Sequence, residues 1–267
     1  MSVERLSTGV GDLDRLIQGG VPRGFLVAVA GEPGTGKTVL CLHFIWQGVL
    51  EGDKAIYVTT EESRESLVRQ AEMLGMGMSG ALEEGRLVVI DALLGGDRWS
   101  LRSLSPEEMV ERVLEAKKEM GYGRARLAID SMSAFWLDKP AMARKYSYFL
   151  KKVLSKWDFT VLATTQYAIT TSEAFGFGLE HIADGIIRFR RIVRGGRLRR
   201  FLLVEKMRQT DHDLRMYEVL IEQGRGMRLV GPVEYRAEDF AMPRSVYLRI
   251  AESRRRVEEE VPDEGAE

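Results

Sequence analysis

The stretch FLVAVAGEPGTGKTVLCLHFIWQGVLEG (25–52) joins a short apolar run, a tight glycine loop and a helical pattern that ends at Gly52. Gly31, Gly36, Lys37 and Thr38 fit the spacing G-x-x-x-x-G-K-[ST], in the setting that motif requires: after a strand and opening a helix. The glycines let backbone N–H groups converge on phosphate oxygens, and the helix N-terminus adds positive potential. Gly31, Glu32, Pro33, Gly34, Thr35, Gly36, Lys37, Thr38 and Val39 are therefore expected to hold a nucleoside triphosphate. Lys37 is expected on the β- and γ-phosphates and the Thr38 hydroxyl on Mg²⁺.

Further apolar runs predict strands over 54–60, 86–92, 126–130 and 159–165, and helical patterns fall at 63–74, 106–120 and 140–157. Strands alternating with helices predict an α/β fold with a mostly parallel central sheet, helices on both faces. From residue 185 the pattern turns to β: GIIRFRRIVR and RLRRFLLVEK flank Gly195-Gly196 as a hairpin, and 215–223 and 226–230 continue it. This predicts a C-terminal antiparallel β extension. A single domain over 1–243 is expected, followed by a helix over 244–257 and an acidic, disordered tail over 258–267.

Asp130 ends the apolar strand RLAID and is the natural acidic partner of Mg²⁺ through water, the alternative being a strand-end cap. Glu61 and Glu62 follow IYVTT at the C-terminal end of another strand, where α/β sheets place their chemistry. One carboxylate there could orient or deprotonate an attacking water; read alone, such a pair is usually a solvated turn.

Composition narrows the remaining classes. Among 267 residues the formal net charge is −1, so binding to nucleic acid or membrane must be local. The single cysteine, Cys41, excludes an internal disulfide and a thiolate metal site. No apolar run reaches about 18 residues, and a cytoplasmic protein is expected. The chain has no asparagine and is rich in Glu and Arg, a composition of hot habitats. Cys41 and His43 have core-like spacing on the first helix.

Over residues 5 to 232 the sequence resembles the KaiC family within the RecA superfamily of ATPases. RLSTGVGDLDRLIQGGVPRGFLVAVAGEPGTGKT is similar to the family's opening, YVTTEES to its paired catalytic glutamates and AIDSMSA to its Asp-Ser. The resemblance implies a RecA-like fold, slow Mg-dependent hydrolysis of ATP, and a catalytic role for Glu61 and Glu62. KMRQTDH (206–212) resembles the family's Lys-x-Arg-x-Thr-x-His, which reaches across a subunit interface. Lys206 and Arg208 would then act on a neighbour's nucleotide, with Thr210 and His212 beside it, in a hexamer-like ring or short filament. Gln166, opening the segment QYAITTSEAFGFGLEH (166–181), sits where the resemblance implies a γ-phosphate sensor, and the loop after it where relatives touch DNA.

The chain has one such domain where the clock protein of the family has two. Glu180-His181 stand where that protein is phosphorylated, so self-phosphorylation is not expected. It also resembles archaeal RadA paralogues, and its start so near the ATPase core argues for an accessory role rather than a full recombinase. Arg188, Arg190, Arg191, Arg194, Arg197, Arg199 and Arg200 crowd the hairpin with Phe189 and Phe201 among them. Such a patch would attract a phosphate backbone and stack bases, or serve as a solvated edge. The expectation is an ATPase that binds single-stranded DNA and assists a RecA/RadA-type recombinase; the alternative is a signalling ATPase whose nucleotide state selects protein partners. A small-molecule kinase lacks a recognisable acceptor site.

Overall fold

A computed structural model of the chain describes residues 3–93, 96–136, 142–166, 179–194 and 196–233. Two short strands, β1 (Arg5–Leu6) and β2 (Val21–Pro22), pair antiparallel on either side in sequence of helix α1 (Gly11–Leu16). The main sheet opens with β3 (Leu26–Gly31), which runs through the glycine loop into α2 (Lys37–Glu51). There follow β4 (Lys54–Thr59), α3 (Arg64–Met73), α4 (Met78–Glu83), β5 (Leu87–Asp91), α5 (Pro106–Met120) and β6 (Ala125–Asp130). Then come α6 (Ala143–Leu154), β7 (Phe159–Gln166), α7 (Leu179–Ile182), β8 (Gly185–Arg194), β9 (Arg197–Met207), β10 (Tyr217–Glu222) and β11 (Gly226–Val230).

The strands form one nine-stranded sheet in the order β11-β10-β9-β8-β3-β7-β6-β4-β5. From β5 to β8 every neighbouring pair is parallel, and the last three strands are antiparallel. This is the expected α/β sheet with its β extension. The hairpin is joined to it more closely than its own pattern implied, because β8 pairs parallel with β3 from Val27↔Gly185 to Gly31↔Phe189. Strands β3 and β6 are buried along their whole length, since side chains on both sheet faces meet helices. One apolar cluster packs α1 to α4 on one face; the other packs α5, α6 and α7 on the opposite face.

Helix starts follow local chemistry. Ser63 Oγ accepts from the Ser66 N–H to cap α3, and Ser105 Oγ accepts from the Glu108 N–H to cap α5, with Pro106 in its first turn. Arg126, at the second residue of β6, is wholly buried. It donates to Asp53 Oδ2 (2.6 Å) and Glu51 Oε2 (2.5 Å), and its guanidinium lies 4.9 Å from the Phe44 ring centroid. Among the described residues no helix is long and apolar enough to cross a membrane. The expected domain limit at 243, the 244–257 helix, the acidic tail and the loop after Gln166 up to Phe177-Gly178 lie outside the described residues.

Candidate functional site

Parallel strands bring their C-terminal ends to one edge of the sheet, and the register aligns the polar residues there. Gly31 of β3 faces Gln166 of β7, and Thr59 of β4 faces Asp130 of β6. The glycine loop, Glu61, Asp130 and Gln166 thus meet around one cleft of about 440 Å³, lined also by Val39, Gln70, Arg200 and Ile221. That volume suits a small-molecule ligand.

The loop's two end glycines are demanded by space. A Cβ on Gly31 would sit 2.5 Å from the Phe189 carbonyl oxygen, because β8 passes directly beside it. Gly36, at the start of α2, has φ 107°, and a Cβ there would meet Ile221 Cδ1 at 3.0 Å. Lys37 is buried and donates to the Glu32 carbonyl at 2.9 Å, as does the Thr35 hydroxyl at 2.8 Å. Burial lowers the Lys37 pKa, opposed by the negative charges of Asp130 and Glu61.

Asp130 is held by three hydroxyls. Thr38 Oγ1 donates to its Oδ2 at 2.7 Å, the Tyr57 hydroxyl to the same oxygen at 2.9 Å, and Thr164 Oγ1 to Oδ1 at 2.5 Å. The Thr38 hydroxyl and the Asp130 carboxylate are hard oxygen donors of the kind Mg²⁺ takes. No group of three or more metal-binding side chains occurs among the described residues. A cation fitting here would therefore be shared with phosphate oxygens, the usual way Mg²⁺ is bound.

The two glutamates separate. Glu61 lines the cleft and accepts from Gln166 Nε2. Burial, then the Asp130 charge, raises its pKa, which Lys37 opposes. Glu62 turns instead to α3, where its Oε2 accepts from the Ser66 hydroxyl at 2.9 Å. Burial raises its pKa as well. The Gln166 N–H donates to Ser133 Oγ at 3.0 Å, which fixes the end of β7.

The hairpin arginines do not form one patch. Arg188 pairs with Glu205 across the two strands. The Arg191 N–H donates to Glu32 Oε2 at 3.1 Å, and its register partner Arg200 donates from Nε to the Gly34 carbonyl at 2.9 Å. Arg200 is thus a neighbour of the phosphate loop. Arg199 lies 3.5 Å from Glu218, while Arg197 and Arg199 are exposed near the tip with Val193 and Leu198; Arg190 and Arg194 are half-buried. Phe189 and Phe201 are core residues, 0% and 2% exposed, which corrects the expectation that they stack on bases. Register and strand alternation put Phe189 with Arg191 and Arg200 on one face of the sheet, and Phe201 with Arg188, Arg190, Arg194, Arg197 and Arg199 on the other.

Lys206, Arg208, Thr210 and His212 lie away from this cleft. Met207 pairs with Gly185, at the N-terminal end of β8, while Gly31 pairs with Phe189. The four-residue step from Gly185 to Phe189 corresponds to roughly 13 Å along the strand. Lys206 Nζ donates to the Ala183 carbonyl at 2.6 Å, and half-exposed Arg208 pairs with Asp184 at 3.2 Å. Thr210 Oγ1 accepts from Arg5 at 2.9 Å. His212 Nδ1 is 3.3 Å from the Thr210 carbonyl, and its buried Nε2 has no partner among the described residues.

Sequence reasoning missed Tyr57, Thr164, Gln70 and the loop contact of Arg200. Tyr57 carried a signal: a polar tip inside the apolar strand AIYV.

A family model described as the ATPase KaiC matches residues 6–234. The UPF0273 protein of Thermotoga maritima is 34% identical over 223 residues, covering 80% of this chain and 91% of that protein. The UPF0273 protein of Methanopyrus kandleri is 35% identical over 225 residues, covering 81% and 88%. Among solved structures, a KaiC-like protein of Pyrococcus horikoshii superposes with a TM-score of 0.74 at 27% identity, covering 86% of this chain and all of that one.

Proposed function

The chain belongs to the KaiC family of ATPases, and from that premise we propose that it binds Mg·ATP in the cleft above β3 and hydrolyses it slowly. The observation that carries this reading is the convergence of Lys37, Thr38, Asp130, Glu61 and Gln166 on one cleft closed by the glycine loop. Loop N–H groups and Lys37 bind the β- and γ-phosphates, and Arg200 approaches the same loop from the hairpin. Thr38 and Asp130 hold Mg²⁺, which when bound neutralises phosphate charge. Glu61, whose pKa burial raises, orients and deprotonates the attacking water, while Gln166 holds that carboxylate and senses the γ-phosphate. Glu62 orients the start of α3 through Ser66. Lys206 and Arg208, with Thr210 and His212, serve a neighbouring copy's nucleotide in a homo-oligomer.

A role on single-stranded DNA beside a RecA/RadA-type recombinase, as a RadA paralogue in recombination and repair, is the second reading. Exposed Arg197 and Arg199 at the hairpin tip favour it. With both phenylalanines buried, such binding would be electrostatic and would fall steeply with salt. One assay tests both readings: phosphate release from ATP with and without single-stranded DNA, by the wild type and by Lys37→Ala. The wild type turns over ATP with Mg²⁺ and the variant loses that activity; unchanged turnover in the folded variant refutes the site. Stimulation by DNA supports the second reading, and indifference to DNA at low salt directs attention to protein partners.

A further inference from the structure

Glu32 puts a carboxylate into a loop built to receive a triphosphate, where its charge opposes the ligand. Its place beside the sheet accounts for it. Strand β3 pairs parallel with β8 as far as Gly31↔Phe189, and one further rung of that register would set the Arg191 N–H against the Glu32 carbonyl. The chain turns out of the sheet at this point. The Glu32 carbonyl accepts instead from Lys37 Nζ at 2.9 Å and from Thr35 Oγ1 at 2.8 Å. The rung is filled by the side chain of the same residue, since the Arg191 N–H donates to Glu32 Oε2 at 3.1 Å. Glu32 thus anchors the loop to β8 through its carboxylate and holds Lys37 through its main chain.

The Arg191 guanidinium adds little to this anchor: its Nε lies 3.9 Å from Oε2, and both side chains are partly exposed. Nearer the loop's tip, Arg200, the register partner of Arg191, donates to the Gly34 carbonyl at 2.9 Å. The hairpin therefore holds the loop at Glu32 and at Gly34 before any nucleotide arrives. A ligand need not order a loop already in its binding shape, and apparent affinity rises with the fraction of molecules in that shape. We propose that Glu32 is a positioning residue whose carboxylate extends the β3–β8 ladder and keeps the phosphate loop ready for Mg·ATP. The proposal rests on the cleft being the Mg·ATP site.

The test compares Glu32→Gln with Glu32→Leu in the full chain. Both remove the charge, but only glutamine keeps an oxygen that can accept from the Arg191 N–H. The measurements are calorimetric binding of a non-hydrolysable ATP analogue with Mg²⁺, and KM and kcat for ATP turnover. Glu32→Gln should bind at least as tightly as the wild type, having lost only a repulsive charge. Glu32→Leu should bind about three- to tenfold more weakly than Glu32→Gln, the scale of one partly exposed hydrogen bond. That loss should fall mainly on KM, as it does when binding rather than chemistry is weakened. Glu32→Ala should repeat the leucine result, which separates a lost acceptor from a misfitting side chain. Arg191→Ala keeps the backbone N–H and should cost far less than Glu32→Leu.

Equal affinities for Glu32→Gln and Glu32→Leu would overturn the inference and leave the phosphate site standing. An Arg191→Ala loss as large as that of Glu32→Leu would assign the effect to the ion pair and overturn it too. So would a fall confined to kcat. If the wild type does not bind the ATP analogue, the Mg·ATP reading itself fails, and this inference with it.

Discussion

Asp130 accepts from Thr38, Tyr57 and Thr164 together, so its carboxylate has little freedom to rotate before a cation arrives. Tyr57 is wholly buried, and burial with the Asp130 charge raises its pKa, so it stays neutral and acts only as a donor. In the proposed reaction its part is positional: it keeps Oδ2 in the plane where Thr38 meets it. Hydrogen bonds to charged groups contribute about 1.5–3 kcal/mol. Tyr57→Phe removes one such bond without opening a cavity. The expected result is a several-fold rise in the Mg²⁺ concentration that half-saturates ATP binding, measured by titration at fixed nucleotide, with unfolding temperature little changed. An unchanged Mg²⁺ requirement would reduce Tyr57 to a packing residue.

Helix α2 is tied to strand β11 by one neutral imidazole. His43 is buried, and its Nε2 accepts from the Met227 N–H at 2.8 Å. Gly226 is needed beside it, since a Cβ there would sit 2.1 Å from that nitrogen. Burial pushes the His43 pKa down to about 4, whereas an unfolded histidine titrates near 6.5. The unfolded chain therefore binds the extra proton first. Stability from this group is complete above about pH 6.5 and is lost as pH falls toward 4, by roughly 3 kcal/mol at the limit. His43→Gln retains an acceptor that does not titrate, and urea midpoints at pH 7 and pH 4.5 should fall less for it than for the wild type. Equal falls would place the acid sensitivity elsewhere. At this scale the sequence was readable wherever an element was long or chemically punctuated: the glycine loop, the Ser63 cap, the strand ending in Asp130. Helices α1 and α4, of six residues each, are too short to display a 3.6-residue repeat. The buried face of β8 was legible in the alternation of Ile187 and Phe189 with Arg188 and Arg190, whereas β9 buries Phe201 and Leu202 on both faces and shows no such alternation. Arg126 was not legible, because its burial depends on Asp53, Glu51 and the open space at Gly48, where a Cβ would meet its Cδ at 2.5 Å.

Across the whole molecule, the cleft and the basic segment 206–212 occupy opposite ends of the parallel strands. Roughly 13 Å of strand between them means Lys206 and Arg208 cannot serve the nucleotide of their own chain. Their local bonds, to the Ala183 carbonyl and to Asp184, hold the segment in shape and leave the Arg208 side chain 54% exposed. A head-to-tail interface would set each copy's segment against the next copy's cleft, and repetition closes a ring or extends a filament. In that arrangement a site is complete only when one chain brings Glu61 and its neighbour brings Arg208. Arg208→Ala should then lower hydrolysis by about 10³-fold, the scale of an arginine finger, while ATP still binds. Glu61→Gln should lower it by about 10²-fold or more, as loss of a general base does. Mixed in equal amounts, random neighbours would give about one site in four with both residues intact, so turnover should recover to roughly a quarter of wild type. The measurement is phosphate release after mixing, with mixed assembly checked by mass. Mixed assemblies that stay as inactive as either variant alone would place Arg208 outside the reaction.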